Sequence, residues 1–109
     1  MKGTHLGELE EIVLLIVASL YDNAYGVLIR TEVEEQCNRK ITISTVHNVL
    51  QRLQEKGFLS SRHSEPTKER GGKRKLLFTV TMEGQEVLEY SKEMRERLWS
   101  NIPNIAFNK

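Results

Sequence analysis

Residues 42–81 read TISTVHNVLQRLQEKGFLSSRHSEPTKERGGKRKLLFTVT. In the first part of this segment, apolar side chains recur at the i, i+3, i+4, i+7 spacing of an amphipathic helix, at Val46, Val49, Leu50 and Leu53. Thr42 and Ser44 are favourable N-cap residues, and Gly57 stands where a helix C-terminus favours a left-handed residue. The pattern predicts a helix that begins near Thr42 or Ser44 and ends before Gly57.

A β-hairpin is predicted after this helix. Short strands at residues 58–63 and 76–81 flank the charged segment 64–75, and the second strand is rich in β-branched and aromatic residues. Thr81 is a suitable N-cap for a last helix, and Glu83 stands in its first turn, where the helix dipole favours an anion.

Two helices are predicted ahead of residue 42. The first has helically spaced apolar residues, ends at Asp22 and Asn23, and is expected to be deeply buried; the spacing is set by Leu9, Ile12, Val13, Ile16 and Leu20. The second begins near residues 24–26, and its apolar residues lie four apart at Ile29, Val33 and Cys37, which places Cys37 in the core. The element order is α-α-α-β-β-α, and the fold class is mainly α with a small β-hairpin.

Length and composition exclude several classes of protein. The chain has 109 residues, which is the size of one domain and too short for a large two-domain enzyme. Its single cysteine excludes an intrachain disulfide and favours a reducing compartment, so a cytoplasmic location is expected. The longest apolar run, residues 12–18, is shorter than the ~18 residues of a membrane span, so no membrane partner is expected.

Charge is segregated along the chain. Residues 1–35 have two basic and seven acidic side chains, a net charge of −5. Residues 36–82 have ten basic and three acidic side chains, a net charge of +7, and residues 83–109 have a net charge of −1. The whole-chain charge of +1 conceals this basic block, and local basic density is what a phosphate backbone interacts with.

The second and third helices form a helix-turn-helix candidate. In that motif the second of the two helices enters the DNA major groove, where short polar side chains contact base edges or phosphates. The helix after residue 42 has a polar face suited to this role, formed by Ser44, Thr45, His47, Asn48, Gln51 and Arg52. The alternative is an ordinary amphipathic helix with a solvated polar face.

The charged segment between the strands is typical of the wing of a winged helix-turn-helix domain. Its cationic groups would bind phosphate, and its two glycines allow the backbone to approach DNA closely; the predicted wing residues are Lys68, Arg70, Gly71, Gly72, Lys73, Arg74 and Lys75. The alternative is a solvated loop without a partner. A preceding helix-turn-helix favours the wing.

The last helix predicts self-association. This helix comes after the hairpin has completed a small core, so its apolar stripe needs a second surface to pack against. The predicted dimer residues are Val87, Tyr90, Met94 and Leu98, together with Leu9 of the first helix. Plain core packing is the alternative. Trp99 is expected to pack at the dimer interface, or else to stack on a planar ligand.

The chain shows no enzymatic or metal-binding signature. The imidazoles of His5, His47 and His63 and the thiol of Cys37 lack metal-ligand spacing, so no metal is expected. The sequence contains no phosphate-binding glycine loop and no defensible nucleophile–base pair, and its carboxylates are expected mostly on solvent-facing helix sides. No cofactor and no catalytic residue are predicted.

Residues 6–99 resemble the PadR-type transcriptional regulators, the phenolic-acid-responsive repressor family. The resemblance rests on four segments in the family's order and spacing: LGELEEIVLLIVASL, AYGVLIRTEVEE, ISTVHNVLQRLQEKGFLSS and ERGGKRKLLFTVTMEGQEVL. It implies a winged helix-turn-helix DNA-binding domain over residues 1–82 and a C-terminal dimerisation helix and tail over residues 83–109. The single C-terminal helix resembles the short subfamily, some members of which bind planar compounds between subunits. The resemblance implies that a ligand of this kind would bind in the region of Met94 and Trp99.

Two positions depart from the family pattern. His47 stands where the family usually has a tyrosine that contacts the DNA backbone, and Leu77 and Phe78 stand where it has a tyrosine pair. The expected function is a homodimeric repressor that binds a palindromic duplex and is released by a small planar or hydrophobic effector. Two alternatives stay open: a ligand-sensing or protein-interaction module without specific DNA binding, and a regulator without a ligand.

Overall fold

The computed structural model describes residues 5–65 and 74–107. Four helices and a two-stranded antiparallel hairpin follow one another as α1 (Glu8–Leu20), α2 (Gly26–Cys37), α3 (Ile43–Glu55), β1 (Leu59–His63), β2 (Leu76–Val80) and α4 (Met82–Ser100). Short 3-10 helices lie at Tyr21–Asn23 and Asn104–Phe107. This architecture confirms the predicted mainly α fold with a small hairpin and its α-α-α-β-β-α order.

The core lies where α1, α2, α3 and the base of the hairpin meet. Its centre is fully apolar and comes from all three helices; the completely buried side chains include Val13, Leu14, Ile29, Val33, Val46 and Leu53. Burial of a side chain of this size contributes about 1.5–3 kcal/mol to folding. Val46, Val49, Leu50 and Leu53 of α3 are each no more than 1% exposed, so this helix has one strictly buried face.

The hairpin is attached to the helical part of the fold along the free edge of β2. β1 and β2 pair in a register that runs from Leu59 opposite Val80 to His63 opposite Leu76. On the other edge of β2, the amide of Phe78 donates to the carbonyl oxygen of Ala24 at 2.8 Å. The connection between α1 and α2 therefore acts as a short third partner of the sheet, which orients the hairpin relative to α2.

The first turn of α4 is locked onto the end of α3. The side-chain oxygen of Thr81 accepts from the amide of Gly84 at 3.0 Å and donates to the carbonyl of Gly57 at 2.7 Å. A Cβ atom on Gly84 would lie 2.3 Å from the carbonyl oxygen of Phe58, so this helix turn packs directly on backbone. Gly57 itself has a φ of +84°, which explains the glycine at that turn.

One predicted core residue lies outside the core. Cys37 is exposed, although its spacing from Ile29 and Val33 predicts burial. It is the last residue of α2, and Asn38 then turns the chain with a φ of +51°. The buried stripe of α2 therefore ends one turn earlier, at Val33.

Replacing Gly84 with alanine tests the packing of α4. Alanine favours the helix over glycine by about 1 kcal/mol. Its methyl group, however, must displace the Phe58 backbone, and this steric cost is larger. We therefore expect a net loss of about 2 kcal/mol in the free energy of unfolding. Urea denaturation measures this value. Gln85→Ala, one residue along on the exposed side, is the matched control and should change it by less than about 0.5 kcal/mol. A Gly84→Ala protein as stable as the parent would contradict the packing.

Candidate nucleic-acid interface

The outer face of α3 is polar and open to solvent. Ser44, His47, Asn48, Gln51 and Arg52 are exposed, and Thr45 is half-buried. Thr42 caps the helix, because its hydroxyl oxygen accepts from the amide of Thr45 at 3.1 Å. The residues predicted to contact DNA from this helix therefore share one surface, on the side of α3 opposite the core.

The side chains of this face differ in their internal partners. Gln51 donates to Glu55 at 3.4 Å, and the Arg52 guanidinium pairs with Glu10 at 3.3 Å. Within the described part of the chain, Ser44, His47 and Asn48 form no side-chain hydrogen bond. Their donors and acceptors are satisfied by solvent, which makes them the members of this face most ready to bind an external partner.

An open groove runs beside this helix face. It has a volume of about 480 Å³ and separates α3 from the start of α2 and from β2; its lining residues are Tyr25, Gly26, Val27, Ile43, His47, Leu50, Gln51, Gln54, Lys75, Leu76 and Phe78. The ammonium of Lys75 lies 4.3 Å from the centre of the Tyr25 ring, a cation–π distance. The groove has an apolar floor with cationic and amide groups at its rim.

Gly26 determines where the His47 ring can lie. A Cβ atom on Gly26 would come within 2.8 Å of Nε2 of His47, so the imidazole rests against the glycine backbone. Sequence reasoning missed this contact and the cation–π pair of Tyr25 with Lys75. The signal was the adjacent Tyr25-Gly26 pair at the start of α2, which contributes both residues to the groove.

The structure describes the base of the wing, at residues 64–65 and 74–75. Lys68, Arg70, Gly71, Gly72 and Lys73 lie outside the described residues. Arg74 is exposed and Lys75 is half-buried. Ser64 closes the base, since its amide donates to the carbonyl of Lys75 and its hydroxyl accepts from the Lys75 amide, both at 2.8 Å. Lys75, at the end of the wing segment, also lines the groove beside the polar face of α3.

A buried carboxylate fixes the C-terminal end of α3. Glu10 of α1 accepts from Lys56 and from the Gly7 amide on Oε1, at 2.8 and 2.9 Å, and from Arg52 on Oε2. Burial alone would raise the pKa of Glu10, but these hydrogen bonds outweigh it and lower the pKa below its usual value. The expectation that carboxylates lie on solvent-facing sides is wrong here, because three donors compensate the burial.

The predicted dimer residues fall into two groups. Val87 is 5% exposed and belongs to the core of its own chain, and Leu9 is half-buried against that core. Tyr90 and Leu98 are 60% and 58% exposed, and Met94 is half-buried. The free apolar stripe of α4 therefore begins one turn later than Val87, at Tyr90.

The end of α4 presents aromatic side chains to solvent. Trp99 is 67% exposed, and its ring meets Phe107 edge-on with 6.2 Å between the ring centres. Met94 and Trp99 are five residues apart on α4, which places them about 140° apart around the helix axis. The described residues form no cluster of three or more His, Cys, Asp and Glu side chains that could hold a metal ion.

Comparison with known proteins identifies the family. The model of the PadR-like transcriptional regulators matches residues 13–90, which is most of the chain. This chain belongs to the PadR-like family. The comparison with curated proteins finds no match. The resemblance inferred from the sequence is thus confirmed, and the chain is a transcriptional regulator of the DNA-binding, winged-helix type.

Solved structures of PadR-like regulators have the same fold. A PadR family transcription regulator from Clostridium difficile is 24% identical, with 86% of this chain and 93% of that chain covered and a TM-score of 0.69. A PadR-like regulator from Bacillus cereus is 18% identical over 93% of each chain, with a TM-score of 0.73. A transcriptional regulator from Clostridium thermocellum is 22% identical over 93% and 90%, with a TM-score of 0.68. No helix among residues 5–65 and 74–107 is long and apolar enough to cross a membrane.

The Glu10 cluster predicts a pH dependence of stability. Because the pKa of Glu10 is lowered by folding, its stabilising contribution is present above the unfolded value of about 4.3 and is lost as pH falls through the lower folded value. Glu10→Gln should reduce the free energy of unfolding by about 1–2 kcal/mol at pH 7. Urea denaturation at several pH values should show the difference from the parent shrinking below about pH 4.

Glu8→Gln is the control for this series. Glu8 lies on the same helix and pairs with Arg39 at 2.8 Å, but its side chain is 75% exposed. An exposed pair contributes little, so the control should lose less than about 0.5 kcal/mol at pH 7. A Glu10→Gln protein that loses no more than the control, or loses equally at every pH, would contradict the role given to Glu10.

Proposed function

We propose that this PadR-like regulator is a homodimeric, sequence-specific DNA-binding repressor. The observation that carries the proposal is the outer face of α3, where Ser44, His47 and Asn48 are exposed without internal hydrogen bonds. A major groove admits one α-helix, and short amide and hydroxyl side chains match base edges there. α3 would therefore read sequence through Thr45, Asn48, Gln51 and Arg52.

The groove and the wing would hold the DNA backbone. Lys75 and His47 both line the groove, so a cation and an imidazole border the outer face of α3 on one side, and Arg74, the residue before Lys75, is exposed. The remaining wing cations, Lys68, Arg70 and Lys73, would add phosphate contacts or enter the adjacent minor groove, with Gly71 and Gly72 at the loop tip. His47 would take the backbone-contact role of the family's usual tyrosine.

Self-association would pair two such units. Tyr90, Leu98 and Trp99 are large, apolar and exposed on α4, and Leu15 of α1 is 49% exposed. Two copies related by a two-fold axis would cover these side chains and present two recognition helices to the two halves of a palindrome. A dimer that occupies two adjacent major grooves would block access to that DNA, which supports repression.

A small planar or hydrophobic effector would release the repressor. Trp99 and Phe107 form an exposed aromatic pair at the end of the helix proposed for dimerisation, and the half-buried Met94 lies five residues before Trp99 on that helix. A planar compound bound there would change how two α4 helices pack, and with them the separation of the recognition helices. Since the target is chromosomal DNA, the place of action would be the cytoplasm.

Two substitutions separate sequence reading from backbone binding. Asn48→Ala should change the preferred base at one position in each half-site, with about 5- to 100-fold lost on the original sequence. Arg74→Ala should weaken binding to all duplexes alike and reduce the slope of log affinity against log salt by about one per protomer. Fluorescence anisotropy on operator variants at several salt concentrations measures both.

Lys92→Ala on α4, where the side chain is exposed, is the cation-loss control and should leave affinity and salt slope unchanged. If Asn48→Ala and Arg74→Ala both shift affinity equally for every sequence, the division between reading and holding is wrong. If the folded dimer binds no duplex at low salt, the chain is a ligand-sensing or protein-interaction module on the same scaffold.

Dimerisation through α4 has its own test. Leu98→Arg places a charge in the apolar stripe and should convert the dimer into a monomer, with at least about a 100-fold loss of operator affinity because only one half-site remains bound. Sedimentation equilibrium gives the oligomeric state. Glu89→Arg introduces the same residue at an exposed position about 180° around the helix from Leu98 and about 15 Å along it from Trp99, and should stay dimeric. A dimeric Leu98→Arg protein would overturn this interface.

A further inference from the structure

Two adjacent glutamates of α1 contact different helices. Glu10 binds Lys56 and Arg52 at the C-terminal end of α3, as described above. Glu11 binds α4 instead: its Oε2 accepts from the Ser91 hydroxyl at 3.0 Å, and its Oε1 accepts from the Arg95 guanidinium at 3.0 Å. α1 is therefore tied by side chains to the proposed recognition helix on one side and to the proposed dimerisation helix on the other.

The Glu11 contact holds α4 at a second point. The first turn of α4 is fixed by Thr81 and Gly84, and the chain buries Val87 one turn later. Within residues 5–65 and 74–107, the hydrogen bonds and ion pairs that α4 side chains make to another helix all go to Glu11. Ser91 and Arg95 lie about 10 and 16 Å along the helix from Gly84, at 1.5 Å per residue.

A helix held at two points keeps its angle, and a helix held at one point can tilt about it. Residues 95–100 are exposed, so the core of the same chain gives little lateral support beyond Arg95. In the proposed dimer, a tilt of α4 relative to α1 moves the whole winged-helix unit of each protomer. The separation of the two recognition helices would change with that tilt.

We infer that Glu11 is a positioning residue that, by holding Ser91 and Arg95 of α4 against α1, sets which half-site spacing the dimer binds. This inference rests on the proposed function, since it needs two recognition helices in one dimer. The carboxylate is favourably placed for the role, because the Glu11 side chain is only 16% exposed while that of Arg95 is 59% exposed. The Glu11 end of the ion pair is therefore shielded from water, while the Arg95 end is accessible, so the two charges can be exchanged by substitution.

The test measures affinity for a panel of palindromes whose half-sites differ only in spacing. The parent protein should prefer one spacing, near about 10 base pairs between half-site centres, by at least about 10-fold over spacings two base pairs longer or shorter. Glu11→Ala should reduce that preference below about 3-fold while binding to non-specific duplex at low salt stays within about twofold. Glu35→Ala, an exposed glutamate of α2, is the charge-loss control and should retain the preference.

Charge exchange separates positioning from general destabilisation. Glu11→Arg combined with Arg95→Glu should restore the spacing preference, whereas either substitution alone should weaken it. Pulsed electron spin resonance on the DNA-free dimer, with a nitroxide on Asn48→Cys in a Cys37→Ser background, gives the distance between the two α3 helices. That distance distribution should be narrow in the parent, broad in Glu11→Ala and narrow again in the exchanged protein.

The outcomes separate this inference from the proposed function. A parent protein that is monomeric or shows no spacing preference overturns the proposed function and the inference with it. A parent with a clear preference that Glu11→Ala retains overturns the inference alone. If Glu11→Ala does not fold, as judged by circular dichroism, Arg95→Ala removes the same ion pair from its more exposed side and decides the question in the same assays.

Discussion

The structure depends on the one-sided burial of α3. Val46, Val49, Leu50 and Leu53 are each no more than 1% exposed, so rotation of this helix about its axis would move apolar groups into water. That constraint leaves a single orientation, in which the opposite, polar face of the helix looks outward. Glu10 then fixes the C-terminal end through Lys56 and Arg52, where apolar packing alone would permit sliding.

The outer face of α3, which is proposed to read DNA, and the proposed dimer surface on α4 are linked through α1. This helix packs on α3 with its apolar side and contacts α4 through Glu11, so the smallest set of elements that joins the two surfaces is α3, α1 and α4. The groove beside His47 adds the start of α2 and the base of the wing to the same side of the molecule. A dimeric DNA-binding protein needs this kind of rigid linkage between partner contact and base contact.

Sequence patterns predicted the elements well, because each helix has an apolar period and two of them, α3 and α4, begin at the capping threonines Thr42 and Thr81. They failed where a neighbour in space decides the outcome. Cys37 has core spacing, but it is exposed at the last residue of α2, beyond the buried Val33. Glutamate is usually a surface residue, so the sequence did not predict the burial of Glu10. The fold alone brings it into contact with Lys56, which is 46 residues away along the chain. The groove, likewise, joins residues from three separate segments.

The central claim is that α3 reads DNA as one of a symmetric pair. Selection of genomic fragments bound by the purified protein tests it most directly, because no operator has to be assumed. The account predicts enrichment of a palindrome whose halves lie about one helical turn apart, with affinity that falls steeply with salt. Absence of any enriched sequence, with the protein shown to be folded and dimeric, would contradict it.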